Sequence, residues 1–355
     1  MVLNDYPTVK YGLIYTFIFG GFTFLFFLFC YTVSYYTGGF PLAVLDSVAR
    51  AAYSGRISHI QFNPDCARHD PELGYLLRPG SCRFTRSEFD ISVQVNSFGL
   101  RDDEESLDAP EIIMLGDSHT MGLGVAAEAS FSSLVEQDLQ TKTLNAGISS
   151  YGTAREMMLF DRLDTTNAKY VVLQYCDNDY KENAAYFRGD GDLDVMDQEE
   201  YVQWTARNEQ QQESFLNPGL VVFGRVTDKL AKFLTAGQNG KAAVKEADAF
   251  QFILEKKKDS LENKTVIVFE LNGHNKNDNR FVDNVSDRFE DSGLNIVFLR
   301  VGDILTDEDY FNLDSHMRPS GHRKMADAIV ETIRLLENED AGDEAVSVAG
   351  KMIRN

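Results

Sequence analysis

Short, mostly apolar runs that recur along the chain limit its fold more than any other feature of the sequence. Four of them have the length of one buried strand: Ile112–Leu115, Tyr170–Tyr175, Thr265–Phe269 and Asn295–Leu299. Amphipathic segments with helical spacing lie between them. Apolar strands that alternate with helices are typical of a parallel sheet covered on both faces. The sequence therefore predicts an α/β fold, a three-layer α/β/α sandwich with a mostly parallel central sheet.

A second constraint is the absence of charged residues from Tyr11 to Leu45. An apolar run of this length can cross a hydrocarbon core of roughly 30 Å as one helix. A cleaved signal peptide would need a basic leading segment and a shorter apolar core, whereas Asp5 precedes this run. We therefore expect residues 1–45 to be a retained N-terminal transmembrane anchor. The few basic residues on either side of the run leave its orientation open.

The pattern of apolar and polar residues divides the rest of the chain into segments. Residues 46–110 lack helical periodicity and contain a polar–apolar alternation, which predicts a β-rich lead-in. Residues 111–336 carry the strand–helix alternation and form the main domain. An insertion at about 184–247, which holds the single tryptophan Trp204, interrupts the main domain. Residues 337–355 read as an acidic, frayed C-terminal tail.

The charge balance restricts the possible partners. The chain has 34 basic and 55 acidic residues, a net charge of -21, which excludes nucleic acid as a ligand. The segment Asp190–Asp194 begins like a calcium loop, but Val195 and Tyr201 stand where that loop needs glycine and glutamate. No histidine or cysteine cluster has the spacing of a zinc site. We therefore expect neither a metal nor another cofactor.

Two cysteines bear on the compartment. Cys66 and Cys82 flank a short segment that contains proline and glycine. They could close a small disulfide loop, which would persist only in an oxidising compartment, or they could remain reduced thiols in a loop. The sequence leaves both alternatives open.

Four polar clusters each carry one residue type that acyl transfer requires. Gly116–Gly122 places Ser118 at a strand-to-helix turn, where a hydroxyl can face a substrate. Gly147 ends an Asn-Ala-Gly cluster, and its N–H can approach a substrate closely. Asn178, in an Asp-Asn-Asp cluster, offers an amide donor to a developing oxyanion. In Asp314–His316 a histidine can accept the serine proton while a carboxylate orients its ring, so the four clusters predict a nucleophilic site.

At these residues the chain resembles the SGNH (GDSL-type) hydrolases, a superfamily named for a serine, a glycine, an asparagine and a histidine in four successive blocks. The resemblance covers about residues 70–336 and implies a flavodoxin-like fold. It implies that Ser118 is the nucleophile, that His316 is the general base and that Asp314 orients His316. The implied oxyanion hole consists of the N–H groups of Ser118 and Gly147 and the side chain of Asn178.

Some residues depart from the family pattern or compete with these roles. The last block is Asp-x-His instead of the usual Asp-x-x-His, so Asp307 and Asp309 are alternative orienting carboxylates. Cys176 stands where the third block usually has glycine, and its side chain would reduce the space beside Asn178. His119 follows the nucleophile directly and could shape the pocket or bind substrate, but we expect it to face solvent. His322 is a rival base that we interpret as helix surface or a structural contact.

The function that follows is that of a serine esterase, which cleaves carboxylic esters through a Ser–His(–Asp) acyl-enzyme. Membrane-anchored members of the family are often tied to cell-envelope glycans. The expected substrate is therefore an O-acyl or O-acetyl group of such a glycan, and the expected location is a membrane-anchored, periplasmic catalytic domain. The alternatives are an O-acetyltransferase for envelope polysaccharide, a lipid or lysophospholipid esterase, and a catalytically idle binding subunit of a polysaccharide assembly. The expected partners are thus an ester-bearing glycan or lipid and the membrane.

Overall fold

The structure is a computed structural model of the chain. The residues it describes are 7–37, 50, 53–54, 57–213, 245–274, 278–289, 292–340 and 352–354. They divide between two compact units. The smaller unit contains the described residues up to Ile57, Glu213 and the short segment Asn312–Asp314, and the larger unit contains the other described residues from Ser58 onward.

The smaller unit begins with a long helix, α1, which spans Pro7–Thr37. Its 20-residue segment Ile14–Val33 is long and apolar enough to cross a membrane, and its side chains are almost entirely exposed. The hydroxyls of Thr16, Thr23 and Thr32 each donate to the carbonyl four residues earlier, at 2.8–2.9 Å. These three hydroxyls are therefore satisfied inside the helix, as an apolar environment would require.

The larger unit begins with the lead-in, which contains four strands: β1 Ala67–Asp70, β2 Gly74–Leu77, β3 Gly80–Arg86 and β4 Phe89–Val95. Strand β1 pairs with β2, and β3 with β4, both antiparallel. Side chains along β4 alternate between buried and exposed, because successive residues of a strand point to opposite faces. The structure joins Cys66 and Cys82 in a disulfide whose Cα atoms are 5.4 Å apart.

A six-stranded sheet forms the centre of the larger unit. Its strands are β5 Ile112–Leu115, β6 Thr143–Asn145, β7 Tyr170–Tyr175, β8 Thr265–Glu270, β9 Asn295–Leu299 and β10 Met352–Arg354. Their order is β10-β9-β8-β7-β5-β6. Strands β5 to β9 are parallel, and β10 pairs antiparallel with β9. The predicted, mostly parallel sheet is confirmed.

Helices cover both faces of this sheet. They are α2 Phe131–Leu139, α3 Thr153–Phe160, α4 Tyr180–Arg188, α5 Gln198–Glu213, α6 Glu246–Lys256, α7 Arg280–Val285 and α8 Pro319–Asp340. Alternate residues of each strand join different cores. Ile112 and Met114 pack with α2 and α8, whereas Ile113 and Leu115 pack with α3, α6, α7 and the lead-in. The three predicted layers are therefore present, and the lead-in shares a core with one of them.

Two expectations for the C-terminal part of the chain differ from the structure. The last helix, α8, continues to Asp340, so the boundary expected at residue 336 falls inside it. The helix continues through polar residues, which give no apolar period and hide its end in the sequence. Residues 352–354 of the expected frayed tail form β10. The insertion expected at about 184–247 contains α5, while its residues 214–244 lie outside the described residues.

Candidate active site

Ser118 lies in the tight turn that leaves β5 at the carboxyl end of the parallel strands. In such sheets ligands bind at this edge. The Leu123 N–H donates to the Ser118 carbonyl at 3.0 Å, so the turn is closed by the backbone itself. A Cβ at Gly116 would lie 2.1 Å from Thr120 Oγ1, so only glycine fits at the start of the turn.

A buried glutamine fixes this turn from the neighbouring strand. Gln174, on β7, accepts hydrogen bonds from the Asp117 N–H at 3.1 Å and from the Thr120 hydroxyl at 2.9 Å. Its amide nitrogen donates to the Leu271 carbonyl at 3.4 Å. Gln174 was not predicted as part of the site. The available signal was a polar residue inside an otherwise apolar strand, which is favourable only when its amide is bonded.

His316 reaches the nucleophile from the loop that precedes α8. Its Nε2 atom lies 2.7 Å from Ser118 Oγ, and the two side chains are 7% and 9% exposed. The loop is fastened at its base, because Tyr310 and Met317 form an antiparallel bridge and the Phe311 N–H donates to the His316 carbonyl at 3.1 Å. The structure thus brings together the predicted nucleophile and the predicted base.

The same loop is tied to the loop that carries Asn178. The Tyr310 hydroxyl donates to the Asn272 carbonyl at 2.9 Å, after β8. The side-chain oxygen of Asn272 accepts from the Asp177 N–H at 2.8 Å, after β7. The base and the predicted oxyanion donor are therefore held in one frame by a short chain of hydrogen bonds.

The predicted orienting carboxylate has a different setting. Asp314 belongs to the smaller unit, and His316 belongs to the larger one. Within the smaller unit Asp314 is buried, and its Oδ2 atom accepts a hydrogen bond from the Tyr53 hydroxyl at 2.8 Å. The action of Asp314 on His316 stays a prediction.

The two alternative carboxylates have other partners. Asp309 accepts from the Lys324 ammonium group at 2.6 Å, which contributes to lowering its pKa. Asp307 lies 3.7 Å from the Nδ1 atom of His274, whose other ring nitrogen contacts the Phe311 carbonyl. Both carboxylates therefore hold neighbouring segments of the chain in place.

The three predicted oxyanion donors differ in whether their N–H groups already donate a hydrogen bond within the protein. No described residue accepts a hydrogen bond from the Ser118 N–H. Asn178 is exposed and donates one amide hydrogen to Asp117 Oδ2 at 3.2 Å, which leaves its second hydrogen for a ligand. The Gly147 N–H donates to Asn145 Oδ1 at 3.1 Å and would have to exchange that partner. Catalytic hydrogen bonds often tighten only when substrate is bound.

Gly147 has a second role, in close packing. A Cβ at this position would lie 2.3 Å from the Met121 nitrogen and 2.7 Å from the Thr120 carbonyl carbon. The next residue, Ile148, donates from its N–H to the Gly116 carbonyl at 3.0 Å. The loop after β6 can therefore lie against the nucleophile turn only because Gly147 has no side chain.

The lead-in supplies a supporting residue of the site that was not predicted. Arg101 is 3% exposed and donates to the carbonyls of Met121 at 3.1 Å, of Val125 at 2.7 Å and of Gly122. Burial lowers the pKa of its guanidinium to about 10, so the group remains charged at neutral pH. Arg101 thus braces the segment that follows the nucleophile.

Two histidines near the site are more buried than the sequence indicates. His119 is 4% exposed and its ring lies 5.2 Å from that of His316, so the expectation that it faces solvent was wrong. His322 is 1% exposed and its Nδ1 atom accepts from the Phe131 N–H at 3.2 Å. Burial lowers the pKa of His322 to about 3. It is a structural contact and not helix surface, because the start of α2 packs against it.

The free cysteine of the site is unsuited to act as a rival nucleophile. Cys176 is buried, and burial together with the charges of Asp117 and Asp179 raises the pKa of its thiol well above the usual range. A thiol reacts through its thiolate, which these surroundings disfavour. Ser118 is therefore the candidate nucleophile.

Fold and geometry together define an α/β protein with a serine–histidine pair at the carboxyl ends of its parallel strands. No protein-family model matches the chain, and no curated protein matches it. Among solved structures, it is similar to one described as a G-D-S-L family lipolytic protein from Desulfitobacterium hafniense. That similarity has 12% identity and a TM-score of 0.35, and it covers 62% of this chain and 97% of the other.

Two further structures show a similarity of the same order. A structure from Parabacteroides merdae that is described as a GDSL-like lipase has 15% identity and a TM-score of 0.36, over 62% of this chain and 93% of the other. A carbohydrate esterase family 2 enzyme with its carbohydrate-binding domain, from Corynascus thermopiles, has 12% identity and a TM-score of 0.34, over 65% and 66%. Similarities this low do not identify a substrate. The assignment of the site depends on the contacts of Ser118 and His316.

Proposed function

We propose that the protein is a serine esterase that cleaves carboxylic esters through an acyl-enzyme on Ser118. The observation that carries this proposal is the 2.7 Å contact between His316 Nε2 and Ser118 Oγ. The contact joins residues far apart in the sequence, at the edge of the sheet where this fold class binds its ligands. A neutral imidazole within hydrogen-bond distance of a hydroxyl is the arrangement that activates a serine.

The reaction proceeds in two balanced steps. In the first, His316 Nε2 takes the hydroxyl proton as Ser118 Oγ bonds to the ester carbonyl carbon. His316 then gives that proton to the departing alcohol as the ester bond breaks. In the second, His316 takes a proton from water as the water oxygen bonds to the acyl carbon. His316 then returns that proton to Ser118 Oγ as the bond between Ser118 and the acyl group breaks and the carboxylic acid leaves. The Ser118 N–H and the free amide hydrogen of Asn178 stabilise the oxyanion, joined by Gly147 once its N–H turns from Asn145.

The proposed substrate is an O-acyl or O-acetyl ester on a cell-envelope glycan. This part rests on the resemblance to SGNH hydrolases and on the candidate membrane helix. The net charge of -21 opposes binding to anionic lipid surfaces, so it favours a sugar ester over such a lipid ester. A sugar hydroxyl that replaces water in the second step would make the same site an O-acetyltransferase.

We propose that the larger unit lies outside the cytoplasm, in the periplasm, with α1 as its anchor. The Cys66–Cys82 disulfide supports this location, since disulfides persist in oxidising compartments and are rare in the cytosol. Alkylation of thiols in intact cells tests it. If both cysteines take up the reagent without prior reduction, the location is wrong.

Covalent labelling of the full-length protein in detergent with a fluorophosphonate probe tests the catalytic proposal. We expect wild type to be labelled, and Ser118→Ala and His316→Ala to lose the label. Ser81→Ala, which removes an exposed serine from β3, is the matched control and keeps it. If folded wild type takes up no probe, the esterase proposal fails and the binding-subunit alternative replaces it.

A labelled protein leads to a direct comparison of substrates. Acetylated sugars and lysophospholipids are supplied side by side, and the released acid and any acetyl group moved to a sugar acceptor are both measured. Release of acetate from the sugar alone supports the glycan esterase. Cleavage of the lysophospholipid alone overturns the substrate, and transfer in preference to release overturns hydrolysis as the reaction.

A further inference from the structure

Two buried carboxyls that the acyl-transfer mechanism does not use lie next to the loop of Asn178. Glu156, on α3, is 0% exposed, and Asp179, at the start of α4, is 1% exposed. Asp179 directly follows Asn178, and its N–H donates to the Cys176 carbonyl at 2.9 Å, which closes the turn that carries Asn178. Any change in the charge of these carboxyls is therefore felt at the oxyanion donor.

The surroundings of the two carboxyls are built by the first turns of α3 and α4. The Thr153 hydroxyl donates to Asp179 Oδ2 at 3.0 Å, and the Ala154 N–H donates to Asn183 Oδ1 at 3.0 Å. These bonds fix the orientation of both acceptors, because each uses one named oxygen. The remaining atoms of Asp179 and Asn183 are left to face the interior.

Four buried side-chain atoms of Glu156, Asp179 and Asn183 have no hydrogen-bond partner among the described residues. They are both carboxyl oxygens of Glu156, Oδ1 of Asp179 and Nδ2 of Asn183. If both carboxyls were ionised, three acceptor oxygens would share the one amide donor. A proton on Glu156 turns one of its oxygens into a donor, so the four unpartnered atoms become two donors and two acceptors, a set that buried water can bridge. Only the protonated arrangement matches donors to acceptors in number, which a buried polar group requires.

The charges that face Glu156 favour the same arrangement. Asp117 faces it from the nucleophile turn, and Asp179 and Glu182 face it from α4. The one cation among the main influences, Arg155 of the same helix, is already paired with Glu182. Burial first, and these negative charges second, raise the pKa of both Glu156 and Asp179 well above the usual carboxyl range. Three other titratable groups are influenced by these carboxylates, and burial keeps each of them neutral: Cys176, Tyr75 and Tyr151.

We propose that Glu156 and Asp179 hold one proton between them in the resting protein, and that Glu156 thereby acts as a positioning residue for Asn178. The first half is independent of the reaction, and the second half rests on the proposed esterase function. With one proton the pair carries one negative charge, and loss of the proton would raise this to two. The added charge would lie near Asp117, which accepts the Asn178 amide hydrogen. The added charge would disfavour the negative charge that develops on the oxyanion. It would also repel the other carboxylates between α3 and α4 and so weaken the packing of these two helices. Among the described residues no group of three acidic, histidine or cysteine side chains can hold a metal instead.

Glu156→Gln tests the role in the reaction, because glutamine keeps one donor and one acceptor but cannot ionise. The profile of kcat/KM against pH is recorded for wild type, Glu156→Gln and the control Glu136→Gln. Glu136 is half-buried with a raised pKa but contacts Thr143, at the opposite end of β6. We expect the alkaline decline of wild type to move to higher pH in Glu156→Gln only. Identical alkaline limbs in all three proteins would refute the positioning role.

Infrared spectroscopy tests the shared proton without any catalysis, in the Ser118→Ala background. The carbonyl stretch of a protonated carboxyl is recorded at about pH 9, roughly two units above the pKa of about 7 to which burial raises Asp102 and Glu270, so that these two carboxyls are ionised. We expect the band in Ser118→Ala and a loss of band intensity in Ser118→Ala/Glu156→Gln. A protein without any such band overturns the proposal, even if the Gln variant does not fold.

Thermal unfolding in the same background supplies the second arm. Because the folded-state pKa of Glu156 is raised, its stabilising contribution is complete below the unfolded pKa and is lost as pH rises toward the folded value. The melting temperature should therefore fall with pH more steeply in Ser118→Ala than in the double variant. Infrared and melting differences without esterase activity would leave the shared proton standing and remove only the proposed function. Esterase activity with neither difference would do the reverse.

Discussion

The Asn178 amide divides its two hydrogens between structure and chemistry. One is bound by Asp117 Oδ2 at 3.2 Å, which sets the plane of the amide, and the other is available to an oxyanion. Asp117 is itself held, since its Oδ1 atom accepts from the His119 N–H at 2.9 Å. The donor is therefore preorganised, which is what makes such hydrogen bonds effective in the transition state.

Removal of this donor should slow the reaction without abolishing it. We expect Asn178→Ala to lower kcat by a factor of about 10²–10³, with a smaller change in KM, because the amide acts mainly on charge that develops in the transition state. Steady-state kinetics with an acetyl ester measures this. Asn295→Ala, which alters an exposed asparagine at the start of β9, is the control. Near wild-type turnover in Asn178→Ala would remove this residue from the site.

At the scale of single residues, the sequence predicts which side chains react better than it predicts which side chains are buried and what they contact. Ser118 and His316 were predicted as a pair and lie 2.7 Å apart, since both residue types occur at strand or loop ends where such chemistry is found. His119 was misjudged because its burial depends on a distant loop that covers it. Gln174 was missed because its three partners come together only in the folded sheet. No local pattern reports such long-range contacts.

At the scale of elements, the lead-in acts as a support for the turn of the nucleophile. Its strands are separate from the central sheet, but residues such as Tyr75 and Phe84 belong to one of the sheet's two cores. Arg101, just beyond the lead-in strands, carries this support to three carbonyls after Ser118. The apolar runs located the inner strands closely, whereas the short β6 and the pairing of β10 depend on neighbours that periodicity does not report.

Loss of this support should affect both stability and activity. Arg101→Leu keeps an apolar body but leaves buried carbonyls without donors, so we expect a loss of about 3 kcal/mol in unfolding free energy and a lower kcat. Urea unfolding and ester kinetics measure the two effects. Arg83→Leu, in β3, is the control, because that side chain is 78% exposed and should change little. If both variants unfold at the same urea concentration, the bracing role of Arg101 is refuted.

At the scale of the whole molecule, the disulfide limits the freedom of the lead-in in the unfolded chain. Cys66 and Cys82 are 16 residues apart in sequence, and a closed loop of this size removes unfolded-state entropy worth about 3 kcal/mol at 25 °C. The bridge joins the segment just before β1 to β3, and so ties together the two hairpins of the lead-in. The stability of the larger unit should therefore depend on the redox state of its surroundings.

This dependence can be measured directly. We expect the Cys66→Ser/Cys82→Ser variant to unfold at lower urea, by an amount that corresponds to about 2–4 kcal/mol. Wild type with reductant should approach the variant, and the variant should not respond to reductant, which makes it its own control. A wild type that is unaffected by reductant, with its thiols shown to be free, would contradict a stabilising bridge.

The distance along the chain between Ser118 and His316 has a consequence for when the protein becomes active during its synthesis and folding. The two residues are 198 positions apart, and four of the five parallel strands of the sheet lie between them. During synthesis the nucleophile emerges long before its base, and the pair forms only when the segment before the last helix docks. Such late, non-local contacts make folding slow. A nascent or truncated chain that ends before residue 316 therefore carries a serine without its base, and ester cleavage begins only with a finished fold.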